Sequence, residues 1–295
     1  MNVSGRCGGE HPEDMQTLIE QLDAAQRLLQ RSAHSHPALH GASRRLSRIA
    51  HALNRPFRVA ILGESNSGKS TIANVLAGEI TLPALPVANT RLPTLLRHAP
   101  APVVEAVHEN GRKFALSVHD ALPLGKLLRL EVGLPSEQLR RIEILDFPGA
   151  ANPLFNADLA AIPRQGVDAA IWATVATQAW RETERRAWSK LPRRLRLRGL
   201  LAVTHRDLIG SEDDFSKLKA RLLPVQQAHF MALCFAGAAS RREAAAPGFQ
   251  HPEAADLRVA VQRLLQSLEE ERARKAVQLT RRVASRALES MERLV

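Results

Sequence analysis

The sequence predicts an α/β fold: a mostly parallel sheet covered by helices, with a helical bundle formed by the N- and C-terminal segments. Three observations carry this reading. Short apolar runs alternate with helical stretches through the middle of the chain, a glycine-rich loop joins the first of these runs to a helix, and apolar stripes at 3–4 spacing occupy both ends. At 295 residues the chain has room for one α/β domain of ordinary size and a smaller helical part.

Taken in order, residues 1–12 read as disordered. From Glu13 to about Arg31, Met15, Leu18, Ile19, Leu22, Ala25 and Leu29 fall on one helical face, and the stretch from Ala33 to Pro37 breaks the pattern. Leu39, Ala42, Leu46, Ile49 and Leu53 mark a second helix. Residues 13–54 are therefore expected to supply two helices. Phe57 to Leu62 reads as a buried strand, followed by a helix over 70–77 that Gly78 stops. Asn110-Gly111 between Val103–Val107 and Lys113–Val118 signals a hairpin. Arg141–Leu145, Ala169–Val175, Leu200–Thr204 and Ala232–Ala236 are further short strands, which places the α/β domain over 55–250. The segment 251–295 reads as one long helix with Leu257, Val261, Leu264, Leu268, Ala276, Leu279, Val283, Met291 and Leu294 near one face, interrupted around Arg272. Its stripe needs a cover. A bundle with the two N-terminal helices supplies one, and packing each helix separately on the sheet is the alternative.

The loop Gly63-Glu64-Ser65-Asn66-Ser67-Gly68-Lys69-Ser70-Thr71 has the G-x-x-x-x-G-K-[ST] spacing, between strand and helix. Gly63 and Gly68 let backbone amides face phosphates, aided by the helix dipole. Lys69 is expected to reach the β- and γ-phosphates and the Ser70 hydroxyl to bind Mg²⁺. Asp146, at the end of a strand, is the second candidate metal ligand, and Gly149 stands where a γ-phosphate-sensing glycine belongs. Thr204-His205-Arg206-Asp207 ends another strand; its Asp207 can accept two hydrogen bonds from guanine N1 and N2, which adenine does not offer. His205 stands where the usual motif has a lysine whose stem covers the base. Ala239, after the last strand, is a candidate for a further base-contacting loop. Thr90 is the candidate for a threonine that joins Mg²⁺ when the γ-phosphate is present, with Thr81 and Thr94 as competitors.

These residues resemble the dynamin superfamily, in particular a bacterial dynamin-like GTPase in a reduced form without a long stalk. The loop is similar to that family's Gly-Glu-Phe-x-x-Gly-Lys-Ser-Thr, with Ser65 in place of Phe. Leu85-Pro86-Val87 and the run from Thr90 to Thr94 resemble its first switch, and Leu130 to Ser136 with Ile142 to Gly149 its approach to the second. The 77 positions from Lys69 to Asp146 suit such a domain. The resemblance implies a Mg²⁺-dependent GTP-binding and GTP-hydrolysing switch that cycles between GTP and GDP. Its partner would be a second copy, in a nucleotide-dependent dimer, or a paired GTPase. Ser65-Asn66 occupy the positions where dynamin carries Gln-Ser, and Ala150 follows Gly149 where a Ras-like protein has glutamine. Slow hydrolysis, completed by a dimer or partner, is therefore expected.

The net charge of +11 points to an anionic partner, an acidic lipid surface or nucleic acid. Nine Arg and Lys residues fall between Arg181 and Arg206 against Glu182 and Glu184. They read either as an anion-binding patch or as a compositional habit, since the chain has only seven lysines among many arginines. The chain has no tyrosine to stack bases, so nucleic acid is the weaker partner. A ribosome- or RNA-associated GTPase and a nucleotide-binding scaffold with negligible turnover remain the alternative functions. No apolar run approaches the roughly 20 residues of a membrane span, the first 15 residues lack a secretory pattern, and Cys7 and Cys234 give neither a disulfide framework nor a metal spacing. A cytoplasmic location, with peripheral membrane contact as an option, is the expectation. Trp172, Trp180 and Trp188 read as packing residues, His34 and His36 as a solvated loop, and Arg91 and Arg97 as surface charges.

Overall fold

A nine-stranded sheet organises the segment Pro56–Leu264, one of two compact units into which the chain divides; Met1–Arg55 with Leu265–Val295 is the other. The computed structural model describes residues 17, 20, 22–25, 27, 39–78, 92–116, 127–148, 159, 162–236 and 252–292. Residues 1–12, the His34/His36 pair and the far end of the expected second hairpin strand, Val118, lie outside them.

The strands are β1 (Phe57–Gly63), β2 (Thr94–His98), β3 (Val103–His108), β4 (Lys113–Ala115), β5 (Leu127–Leu134), β6 (Ile142–Asp146), β7 (Ala169–Val175), β8 (Gly199–Thr204) and β9 (Ala232–Ala236). Their spatial order is β4-β3-β5-β2-β6-β1-β7-β8-β9. Five neighbouring pairs are parallel, and the pairs β2–β6, β3–β4 and β3–β5 are antiparallel. The parallel centre follows from composition. Val59 to Leu62, Ala169 to Ala173 and Leu200 to Val203 are fully buried, because helices cover both faces and leave no solvent side to mark with polar residues. One face buries Trp172 and Trp188 with Leu62 and Leu145, against Leu218 and Leu222 of a helix at Glu212–His229.

Two strands escape the sequence pattern, β2 and β5. Thr94, a competitor for the switch threonine, is instead the first residue of β2, where it pairs with Leu130 and Asp146. Arg97, Arg129 and Glu131 interrupt the apolar signal of these strands, and they do so because the charges are paired. The Glu131 carboxylate, 3% exposed, accepts from Lys113 Nζ at 2.6 Å, Arg129 Nη2 at 2.6 Å and Arg97 Nε at 3.3 Å. Burial works to raise its pKa, but the hydrogen bonds from Lys113 and Arg129 prevail and hold it below the usual carboxylate range. Arg97 also binds Glu105 at 2.6 Å, so it is a member of the sheet's charge network rather than a solvated surface residue. The Asn110-Gly111 turn forms as expected between β3 and β4, with Gly111 at φ 83°.

In the smaller unit, α1 (Leu39–Asn54) buries Leu39, Ala42, Leu46, Ala50 and Leu53. It packs on Leu22 and on Ala276 and Val283 of a 41-residue helix, Pro252–Glu292. Burial of each leucine side chain contributes about 1.5–3 kcal/mol, which holds the three segments as a bundle. Arg272 Nη1 donates to the carbonyls of Leu53 and Arg55, at 3.4 and 2.6 Å, and so satisfies acceptors that the end of α1 leaves open. The first part of the long helix, with Leu257, Val261 and Leu264 buried, belongs to the sheet unit.

Candidate nucleotide site

Parallel strands bring their C-terminal ends to one edge of the sheet, and the motif residues lie there. The registers Ile61 with Asp146, Gly63 with Ala173 and Val175 with Thr204 set the ends of β1, β6, β7 and β8 side by side. The chain leaves β1 through a loop that only glycine fits. Gly63 has φ 147°, and a Cβ there would stand 2.3 Å from the Ala173 carbonyl oxygen. Gly68, at φ 79°, is the N-cap of α2 (Lys69–Leu76), and a Cβ on it would press on Thr204 at 3.1 Å.

A cavity of about 330 Å³ opens above this loop, lined by Asn66, Gly68, Lys69, Ser70, Thr71 and His205. Lys69 is buried, and its Nζ donates to the Glu64 carbonyl oxygen at 2.7 Å. Burial lowers its pKa, with Asp146 opposing. Ser70 Oγ donates to Asp146 Oδ2 across 3.5 Å, a long hydrogen bond. Burial pushes Asp146 up to about 6, against the pull of Lys69 and Ser70. Its other oxygen, Oδ1, is buried with no hydrogen-bond partner, as is Ser67 Oγ. A desolvated carboxylate with an unsatisfied oxygen, beside a serine hydroxyl, suits a hard divalent cation. Mg²⁺ therefore fits Ser70 and Asp146.

Thr204 does not face the cavity. Its Oγ1 donates to the Ser67 carbonyl at 2.9 Å and lies 3.1 Å from the Thr174 carbonyl, which ties the loop to β7 and β8. His205 adopts a left-handed conformation, φ 55°, which turns the chain into the 3₁₀ turn Arg206–Leu208. Its Nδ1 lies 3.0 Å from Thr204 Oγ1, and its ring lines the cavity where the motif's lysine stem was expected. Asp207 stands exposed on that turn and is not among the lining residues. Arg206 is turned away, bound to Glu212 at 2.9 Å and stacked 3.9 Å over Phe215. Ser65 is exposed in the loop. Thr81, Thr90, Gly149 and Ala239 lie outside the described residues.

Sequence reasoning did not foresee what Glu64 does. Its carboxylate points to the start of α3 (Glu182–Ser189), accepting from Thr183 Oγ1 at 3.0 Å and pairing with Arg181 at 3.2 Å. Behind them Glu184, 3% exposed, accepts from Trp172 Nε1, Thr174 Oγ1 and the Arg181 amide at 2.8–3.1 Å. The separation of 119 positions from Glu64 to Thr183 left no local signal for this contact.

No family model matches the chain. It is 34% identical over 116 residues to the isoniazid-induced protein IniC of Mycobacterium tuberculosis, a match spanning 36% of this chain and 24% of that protein. To dynamin-like protein 2 of Campylobacter jejuni it is 24% identical over 176 residues, 57% of this chain and 29% of that one. The chain thus spans less than a third of the length of either relative. Two solved structures of an oligomerised bacterial dynamin pair superpose with TM-scores of 0.58 and 0.55, at 17% and 18% identity. They match 92% and 93% of this chain and 43% and 44% of their own. The α/β fold is shared with the matched part of these bacterial dynamin structures.

Proposed function

We propose that the chain binds and hydrolyses GTP as a Mg²⁺-dependent, dynamin-like switch. The observation that carries this reading is the meeting of Lys69, Ser70 and the unsatisfied Asp146 oxygen at the end of a strand–loop–helix unit. Lys69 would exchange the Glu64 carbonyl for the β- and γ-phosphate oxygens, while the amides of the loop and the N-terminus of α2 face the same anion. Ser70 and Asp146 would hold Mg²⁺, with Thr90 as a further ligand; the ion supplies charge neutralisation on the phosphates. Gly149 would sense the γ-phosphate, and Ser65 would stand near the attacking water. Asp207 would select guanine, His205 would cover one face of the base, and Ala239 would close the far side of the base.

Phosphoryl transfer depends mainly on positioning and charge stabilisation, so a partner can complete the site. A second copy across the nucleotide face, or a paired GTPase, is the proposed source. The solved relatives are described as a dynamin pair that senses and tethers membranes. An acidic lipid surface enters here as a partner by that analogy, with the exposed Arg193 and Arg194 of the basic segment as its counter-charge. No helix among the described residues is long and apolar enough to cross a membrane.

The test is GTP turnover per molecule against protein concentration, with Lys69→Ala as the blank. Specific activity is expected to rise with concentration and to vanish in the variant. Tight GTP binding with flat, near-zero turnover would sink the self-completing dimer and leave a nucleotide-binding scaffold or an enzyme without its paired GTPase.

A further inference from the structure

Glu64 is the only acidic residue between Gly63 and Thr71, and it sits in a loop whose proposed task is to hold a polyanion. A bare carboxylate there would oppose that task through space. The structure shows where the charge goes. Thr183 Oγ1 donates to Glu64 Oε1 at 3.0 Å and Arg181 Nη2 pairs with Oε2 at 3.2 Å, while the carbonyl of the same residue holds Lys69 at 2.7 Å. One residue therefore links the cation intended for the phosphates to a second cation behind the loop.

The turn that presents Arg181 is fixed against strain. Trp180 adopts φ 61°, a left-handed conformation that a bulky side chain rarely takes. Its amide donates to Thr174 Oγ1, its ring packs edge-on against Trp172 and Phe230, and the next amide donates to buried Glu184. These contacts fix the backbone at Arg181, from which its side chain reaches Glu64.

We infer that Arg181 and Thr183 are positioning residues for the phosphate loop. They mask the Glu64 carboxylate and hold its carbonyl where Lys69 waits, so that the loop presents a net positive field to the γ-phosphate. The inference rests on the triphosphate reading of the site. An ordinary ion pair between half-exposed side chains would do nothing of the kind: its removal would leave affinity unchanged.

The experiment measures binding of a fluorescent, non-hydrolysable GTP analogue and of GDP, with Mg²⁺, to the full chain, together with single-turnover GTP hydrolysis. Arg181→Ala is expected to weaken the triphosphate analogue about tenfold, and GDP less, because the unmasked charge acts most on the γ-phosphate. Arg181→Lys, which keeps the charge, should retain most of the affinity. Adding Glu64→Gln to Arg181→Ala should restore binding to within about threefold of the parent, a rescue that lost packing cannot produce. Parental affinity in Arg181→Ala, or a double variant no better than the single, overturns the inference. So does unchanged affinity with slowed hydrolysis, which would make Arg181 a direct phosphate contact. Failure of the Arg181 series alone leaves the triphosphate reading standing; a Lys69→Ala variant that binds like the parent removes that reading and the inference with it.

Discussion

The two halves of the sheet are held in different ways. From β6 through β9 the strands are parallel, and β1, β7 and β8 are apolar on both faces over most of their length; charges appear near strand ends, and Asp146 and the 3₁₀ turn after Thr204 meet the glycine-rich loop there. From β2 through β5 the pairing is mixed, and Arg97, Glu105, Lys113, Arg129 and Glu131 lie within the strands. The first half pairs Arg58 with Glu143 at the starts of its strands and leaves polar groups unsatisfied where the strands end. The second satisfies every oxygen of its buried carboxylate within the fold. Unsatisfied polarity marks chemistry, and paired polarity marks architecture.

The sharpest way to break this comparison is to remove the centre of the architectural network. Glu131→Ala would leave Arg129, 14% exposed, without its carboxylate, while Lys113 and Arg97 keep Glu105. It is expected to destabilise the chain by about 1–3 kcal/mol, the usual cost of leaving a largely buried donor without its partner. Urea unfolding would measure it; a loss below about 1 kcal/mol would show that the network acts as a surface one.

The two carboxylates should also titrate with opposite signs. Glu131 has its folded-state pKa depressed, so its contribution is present above the unfolded value and lost as pH falls through the folded one. Asp146 is raised from 3.8 to about 6, so its protonated form favours the fold at low pH and that contribution is lost as pH rises through about 6. Asp146→Asn is accordingly expected to stabilise the nucleotide-free chain near neutral pH by about 2–3 kcal/mol, while losing the Mg²⁺-dependent part of GTP affinity. Thermal unfolding from pH 5 to 8, parent against variant, checks the sign. A variant less stable than the parent at pH 8 would mean that Asp146 is paired rather than poised for a cation.

The same contrast explains what could be read from the residues alone. Both-face apolar runs such as Phe57–Leu62 and Ala169–Val175 announce parallel strands, and the spacing of Gly63, Gly68, Lys69 and Ser70 announces the loop between strand and helix. The strands β2 and β5 were not legible, because Arg97 and Glu131 look like solvent-facing residues until their partners on neighbouring strands are known. The Glu64–Thr183 contact was invisible for the same reason: it exists only once β1 and β7 lie side by side. His205 lay between. Its position in the motif was readable, but its left-handed backbone and its hydrogen-bond distance to Thr204 were not.

The smallest expected effect tests whether hydrogen-bond length or burial makes a carboxylate matter. Glu182 on α3 accepts from Arg185 Nε at 2.6 Å and from Arg186 Nε at 2.9 Å, contacts as short as those of Glu131. The donated hydrogen bonds of Arg185 and then Arg186 hold its pKa down to about 2. Yet Glu182 and both arginines are exposed, so water competes for every contact and salt screens the charges. Glu182→Gln should therefore leave the unfolding midpoint unchanged within error, at low salt and at high salt alike, where Glu131→Ala shifts it strongly. A clear loss of stability in Glu182→Gln would mean that these arginines gather strain which only that carboxylate relieves, and the rule separating the two halves of the sheet would then be geometry rather than desolvation.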